Sequence, residues 1–288
     1  MGIAYLNGEF LPVEQARISP LDRGFLFADG IYEVIPAYAG VLFRLEEHLE
    51  RLERSLAEIQ LHNPHSRAEW ASMMQSLIEQ NGGGNISVYL QVTRGAASKR
   101  DHAFPNPPVA PTVFAMTSPI AAPAADSPDT TEGVSALTMD DIRWSRCDIK
   151  SIALLPNALM RQYAVQQGCA EAILIRDGFA TEGSASNYFI VKDGVVITPP
   201  KSHLILPGIT RDLVVELCHA NHVPFEEREV TEAELKNADE IWLSSSTKEV
   251  VPVVTLNGNP IGNGKPGETW KKVARLYVDY KRKLCGVA

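Results

Sequence analysis

One lysine, one glutamate, a glycine-led helix start and a run of hydroxyls carry most of the chemical content of this chain. Lys150 lies in Arg-Cys-Asp-Ile-Lys-Ser (146–151) and Glu182 in Thr-Glu-Gly-Ser-Ala-Ser-Asn (181–187). Leu206-Pro207-Gly208-Ile209-Thr210 follows, and then Ser244-Ser245-Ser246-Thr247. An amine that attacks a carbonyl must be neutral, and the apolar neighbours of Lys150 favour that form. A carboxylate such as Glu182 can hold a proton on a ring nitrogen. Free amides at a helix start bind a dianionic phosphate, as Gly208-Ile209-Thr210 could, and hydroxyls near 246 could complete the cup.

Each piece has a plainer reading: a solvated lysine, a turn carboxylate, an ordinary helix start, a polar loop. Taken in order, they meet the needs of pyridoxal phosphate. A further group, Lys99-Arg100-Asp101-His102, sits in a polar loop after a strand. It reads either as a solvated basic loop or as a carboxylate clamp. In the clamp, the Arg100 guanidinium offers a planar fork and His102 a second donor.

These residues need elements to position them. Leu45, Leu49, Leu52, Leu56 and Ile59 recur at steps of three and four, so 45–60 is an amphipathic helix. Arg51 falls about 120° from the centre of that stripe and can reach out of the core. Ser66-Arg67-Ala68-Glu69 is a capping box opening a second helix, which Asn81-Gly82-Gly83-Gly84 ends. Strands are expected around Asn7-Gly8, over 31–38 with Pro36 weakening the pattern, and over 87–93 and 109–116. Downstream, Asp177-Gly178 and Asp193-Gly194 are type I′ hairpin signals, and Asn257-Gly258 a third. Helices are expected at 157–167, closed by Gly168, and at 210–221 and 268–282.

A chain of 288 residues carries a prior of about two domains. Residues 119–131 hold three prolines and little bulk, which makes them the linker candidate. The expected division is an N-terminal α/β domain over 1–120, a linker over 121–131 and a C-terminal domain over 132–288. Strand runs followed by helices point to an α+β fold with a barrel-like mixed sheet, and no GxGxxG follows a strand. The formal charge of −8 argues against nucleic acid as the main partner. No apolar run is long enough to span a membrane, and no signal peptide is read at the N-terminus. Cys147, Cys169, Cys218 and Cys285 are widely spaced, without a CxxC; they read as free thiols in a reducing cytoplasm, with no metal site.

On these motifs, together with Tyr5-Leu6-Asn7-Gly8 and Asp29-Gly30-Ile31-Tyr32-Glu33-Val34, the chain resembles the fold-type IV, class IV pyridoxal-phosphate aminotransferases. The resemblance runs to about Val254. Within the group, the Arg-x-His of Arg100 and His102 resembles the D-amino acid enzymes. It implies a homodimer whose substrates are D-amino acids and 2-oxo acids, reacting by ping-pong transamination through a Schiff base on Lys150. It also implies that Lys150 then moves the substrate proton and that Glu182 partners the pyridine nitrogen. Arg51, the amides of Ile209 and Thr210, and Ser246 would hold the phosphate. Tyr32, with Arg100 and His102 reaching in from the neighbouring subunit, would trap the α-carboxylate. Alternatives on the same fold are an L-branched-chain aminotransferase and aminodeoxychorismate lyase. Two departures stand out: a loop before Arg100 about one residue longer than usual, with Lys99 beside it, and Ala185 where serine is common.

Overall fold

The computed structural model describes residues 2–286. The chain forms two compact units. One comprises residues 2–120, the segment Ile149–Leu154 and residues 285–286; the other comprises Ala121–Asp148 and Leu155–Leu284. The Lys150 segment therefore groups with the first unit, although it follows the proline-rich stretch in sequence.

The first unit is built on a six-stranded sheet of order β2-β1-β6-β5-β3-β4. Its strands are β1 (Ile3–Leu6), β2 (Glu9–Pro12), β3 (Gly30–Tyr38), β4 (Val41–Leu42), β5 (Ile86–Thr93) and β6 (Thr112–Pro119). Strand β6 runs several residues later than the 109–116 expected from the sequence. All the pairings are antiparallel. Pro36 is accommodated inside β3. Its carbonyl accepts from Phe43 N on the β4 side, beyond the two-residue β4 ladder, so its missing N–H removes no bond to β5.

Three helices accompany the sheet: α1 (Arg23–Phe27), α2 (Leu45–Glu58) and α3 (Arg67–Gln80). Leu49, Leu52 and Leu56 of α2 pack with Trp70, Met74 and Leu77 of α3 against Ile31, Ile35, Val88 and Leu90 of the sheet. The capping box forms as expected, with Ser66 and Glu69 exchanging hydrogen bonds. Helix α1 is anchored by Asp22. That carboxylate accepts from Gly24 N at 2.8 Å and from the hydroxyls of Thr93 and Thr112 at 2.8 and 2.6 Å.

The second unit carries a curled, mixed ten-stranded sheet of order β12-β11-β10-β14-β15-β7-β8-β9-β13, with β16 added to β15. The strands are β7 (Val134–Asp140), β8 (Glu171–Arg176), β9 (Phe179–Gly183), β10 (Asn187–Lys192), β11 (Val195–Thr198), β12 (Phe225–Glu227), β13 (Val230–Thr231), β14 (Glu240–Ser245), β15 (Glu249–Leu256) and β16 (Asn259–Pro260). The pairs β11–β12, β15–β7 and β7–β8 are parallel. Asp177-Gly178, Asp193-Gly194 and Asn257-Gly258 all adopt positive φ at both positions, as type I′ turns require.

Helices α4 (Leu155–Gln166), α5 (Ile209–Ala220), α6 (Glu232–Lys236) and α7 (Glu268–Cys285) complete the unit. Met160 and Ala164 of α4 pack on Leu137, Ala172 and Leu174 of the sheet. The stretch read as a linker is partly ordered against this unit: it forms a short 3-10 turn at Ala124–Asp126, Ala125 is buried, and Asp126 pairs with Lys281. Among the described residues, Cys147, Cys169, Cys218 and Cys285 form no disulfide. No helix among the described residues is long and apolar enough to cross a membrane, and no cluster that could hold a metal is found among them.

Gly95 shows what the packing demands of the backbone. Its φ is +88°, and a Cβ there would stand 2.0 Å from the Ala110 carbonyl oxygen. Gly95→Ala is expected to destabilise the protein by at least about 1–3 kcal/mol, from backbone strain alone. Urea unfolding would read this as a lower midpoint. An unchanged midpoint would show that the Ala110 backbone yields.

Candidate active site

Lys150 is held in the first unit by backbone bonds to the start of β3. Tyr32 N donates to Lys150 O at 2.9 Å, Ile152 N donates to Gly30 O at 3.1 Å, and Ile31 and Ser151 form a β-bridge. Gly30 is required by close approach, since a Cβ there would lie 2.6 Å from Val92 O. Buried Ile149 joins the core of this unit. The Lys150 ammonium lies 4.1 Å from the centre of the Tyr32 ring. Tyr32 in turn stacks on Tyr89, at 5.7 Å. Two sequence-predicted residues, Lys150 and Tyr32, are thus brought together.

The next residue on β3, Glu33, is on the opposite face and fully buried. Arg51 Nε and Nη2 donate to its two carboxylate oxygens, each at 2.8 Å, and His48 Nδ1 lies 2.8 Å from Oε2. Burial alone would raise the Glu33 pKa, but the charge and hydrogen bonds of Arg51, with His48 behind them, hold it well below the usual carboxylate range. Burial pulls the His48 pKa down against the pull of Glu33. Because an ionised carboxylate can only accept, the His48 ring meets it with Nδ1–H. Arg51 stands off the leucine stripe, as the helical wheel places it, and is 5% exposed. Glu33 draws its guanidinium inward. Neither Glu33 nor His48 was singled out from sequence, because the signal is a tertiary pairing.

Arg100 and His102 also meet on one platform. The Arg100 guanidinium carbon lies 4.7 Å from the centre of the Phe27 ring, and the His102 ring centre lies 5.1 Å from it. Both residues are exposed. Lys99 pairs with Asp101 at 3.1 Å and is mostly in solvent.

In the second unit, Glu182 is buried on β9. Arg143 Nη1 donates to Oε1 in a short bond; Asn187 Nδ2 and Leu206 N donate to Oε2, each at 3.0 Å. Asp141 grips Arg143 through Nε and Nη2, both at 2.8 Å. Burial pushes the Glu182 pKa up to about 7, against the charge and hydrogen bond of Arg143. Arg143 was missed from sequence; its only local signal is the Asp-x-Arg spacing. Asn187 also donates to Leu206 O at 2.8 Å, and its Oδ1 would be 2.0 Å from a Cβ on Gly208. One asparagine therefore ties Glu182 to the turn that opens α5.

Gly208 caps α5 without any side-chain hydrogen bond. The first-turn amides, Ile209 and Thr210 among them, are those a helix leaves without an intrahelical acceptor. Arg211 does not fill that role; it turns to Pro199 O, Glu227 and Asp212. Ser246 lies in the turn after β14, and the buried Ser244 hydroxyl has no hydrogen-bond partner among the described residues. Within the second unit, an uncapped helix start for an anion and a buried carboxylate fit the phosphate and the ring nitrogen of pyridoxal phosphate, and the Lys150 amine of the first unit is of the type that binds its aldehyde.

Residues 30–256 match the model of the class IV aminotransferases. The chain is 45% identical over 267 residues to D-alanine aminotransferase of Bacillus licheniformis, covering 93% of each. It is 42% identical over 276 residues to D-alanine aminotransferase of Staphylococcus aureus strain N315, covering 96% of each. Among solved structures it is similar to a T.th. branched-chain amino acid aminotransferase complexed with N-(5'-phosphopyridoxyl)-L-glutamate. There the TM-score is 0.87 at 26% identity, covering 100% of this chain and 95% of that one. The chain belongs to the class IV aminotransferases. It is accordingly an enzyme, with the mixed α+β fold of that group.

The raised Glu182 pKa has a measurable sign. A carboxyl with an ordinary pKa of 4.5 in the unfolded chain and about 7 in the fold favours folding below pH 4.5. That contribution declines as pH rises from 4.5 to about 7. Glu182→Gln removes this titration. In cofactor-stripped protein, the fall in urea midpoint between pH 5 and pH 8 should be smaller in the variant than in the parent. Equal slopes would show that Glu182 is ionised throughout that range.

Proposed function

We propose that this protein transfers the amino group of a D-amino acid such as D-alanine to a 2-oxo acid such as 2-oxoglutarate, with pyridoxal phosphate as cofactor. The observation that carries this reading is the likeness to D-alanine aminotransferases at 42–45% identity over nearly the whole chain. Arg100 and His102 on one ring support it, as a pair of donors suited to a carboxylate. The branched-chain reading rests on a likeness at 26% identity, which supports the shared fold more than the substrate. The lyase reading has no observation in its favour.

Pyridoxal phosphate, when bound, supplies an electron sink for negative charge developing at the substrate Cα. The rest of the work falls to this chain. Lys150 would hold the cofactor through its amine, and the same amine, when free, would take the proton from the substrate Cα and give it back on the far side of the substrate nitrogen. The Tyr32 ring steers that amine. Glu182, braced by Arg143 and Asn187, holds a proton on the ring nitrogen. Arg51, the amides of Ile209 and Thr210, and Ser246 hold the phosphate. Tyr32, Arg100 and His102 fix the α-carboxylate, and this decides which face of Cα Lys150 can reach. Stereochemistry then follows from positioning.

We also propose that the protein is a homodimer of the cytoplasm acting on small molecules, without a nucleic-acid or membrane partner. Leu155, Leu159 and Tyr163, one turn apart on α4 and 70%, 57% and 47% exposed, support self-association. Four cysteines without a disulfide among the described residues are in keeping with a reducing compartment.

The test is the visible spectrum of purified protein before and after D-alanine and, separately, L-alanine. A cofactor band bleached by D-alanine alone is expected. A band bleached by L-alanine alone would overturn the D-specific reading, and no band after cofactor incubation would overturn the cofactor. Lys150→Ala should abolish turnover while leaving the fold intact. A Lys150→Ala variant with full turnover would remove the lysine from the mechanism.

A further inference from the structure

We propose that Arg23 is a positioning residue for substrate recognition, acting through the backbone of the Arg100–Ala103 loop; this rests on the reading of Arg100 and His102 as the carboxylate clamp. Arg23 opens α1 and is 4% exposed. Its Nη1 donates to Asp101 O at 2.5 Å and to Ala103 O at 3.1 Å, and its Nη2 donates to His102 O at 3.1 Å. Three consecutive carbonyls of the loop are held by one guanidinium. Its Nε donates to Asp29 Oδ2 at 2.7 Å.

Asp29 is itself pinned from the other side. Arg94 Nε and Nη2 donate to its two oxygens at 2.8 and 2.9 Å, and Arg94 stacks on Phe104 at 3.6 Å. Arg23 is thus held in place before it holds the loop. One helical turn along α1, Phe27 carries the Arg100 and His102 side chains against its ring. The same five-residue helix fixes the loop's backbone through position 23 and rests its functional side chains on position 27. Among the described residues, neither the Arg100 nor the His102 side chain forms a hydrogen bond or an ion pair. Their placement therefore depends on backbone and ring alone, and their donors are left for a ligand.

Arg23 touches neither cofactor nor substrate in this scheme. Its substitution should act through the clamp and vanish when the clamp is removed. A lysine at 23 keeps the charge, but one compact ammonium cannot span three carbonyls and Asp29 in a planar fork. In the holoenzyme, Arg23→Lys is expected to lower kcat/KM for D-alanine by about ten- to hundredfold, the scale of a small misplacement of a positioning group. Most of the change should fall on KM, with the visible cofactor band unchanged.

The deciding measurement is a double-mutant cycle. In an Arg100→Ala, His102→Ala background, adding Arg23→Lys should cost no more than about twofold further. The same fold-loss in both backgrounds would mean a general structural role and would overturn the proposal, as would no loss in the parent. If the Arg100→Ala, His102→Ala protein keeps full kcat/KM for D-alanine, the clamp reading fails, and the role of Arg23 falls with it. A clamp-dependent loss with an inert Arg23→Lys would sink the Arg23 role alone. Should Arg23→Lys fail to fold, Arg23→Gln carries the same cycle, because its amide can reach at most part of the three carbonyls and its loss should again vanish in the clamp-less background.

Discussion

A charge taken out of water must find an opposite charge, and much of the candidate site in this protein is arranged around three such pairings. Glu33 faces Arg51, Asp29 faces Arg23 and Arg94, and Glu182 faces Arg143. Breaking one such pair leaves an uncompensated buried ion, typically at a cost of about 3–5 kcal/mol. That cost makes the geometry nearly obligatory. Each arginine is oriented by a planar fork, and each fork aims a further group: the loop of Arg100 and His102, the helix that bears Arg51, or the carboxylate of Glu182. Packing of leucines and tryptophans sets the scaffold. The ion pairs set where the chemistry stands on it.

The same logic explains what can be read from the chain and what cannot. The Asp-Gly turns, the Ser66–Glu69 capping box and the leucine spacing of α2 all rest on neighbours within a turn or two. Their physics is local, and the structure reproduces them. The aminotransferase family was legible through short motifs. Strand β7 was not: Val-Ser-Ala-Leu-Thr-Met-Asp has little apolar bulk, and its place comes from lying between β15 and β8 in parallel pairing. Arg51 shows a subtler limit. The helical wheel correctly put it off the leucine stripe, but no periodicity shows that a glutamate on β3 will draw that side inward. Arg23 and its carbonyls are separated by 78 to 80 positions in the sequence. Their meeting is a product of the folded chain. Lys150 is similar, since bonding to Gly30 and Tyr32 is what joins its segment to the first unit.

The residues proposed for substrate and those proposed for cofactor differ in how the scaffold holds them. The clamp candidates sit on an exposed loop whose backbone is held by side chains of α1 and β5. A loop of this kind can change length or sequence without disturbing the sheet beneath it. Lys99 of that loop is turned to Asp101. Glu182 and the uncapped start of α5 are instead braced by buried strands and by Asn187. A fold shared at 26% identity with an enzyme named for branched-chain substrates is what such a division would produce.

Glu182 shows how finely one such pairing is set. Alone in that burial it would be a neutral acid, and a neutral acid cannot hold a proton on a ring nitrogen by charge. Arg143 opposes the burial, and the amide of Leu206 and Asn187 add hydrogen bonds to the ionised form. Asp141 acts in both directions: it keeps Arg143 charged and oriented, while its own negative charge pushes Glu182 upward. The resulting pKa of about 7 leaves the carboxylate near its point of change. Burial and Arg143 thus pull the same carboxyl in opposite directions, and the surroundings of Glu182, more than its residue type, decide where it titrates.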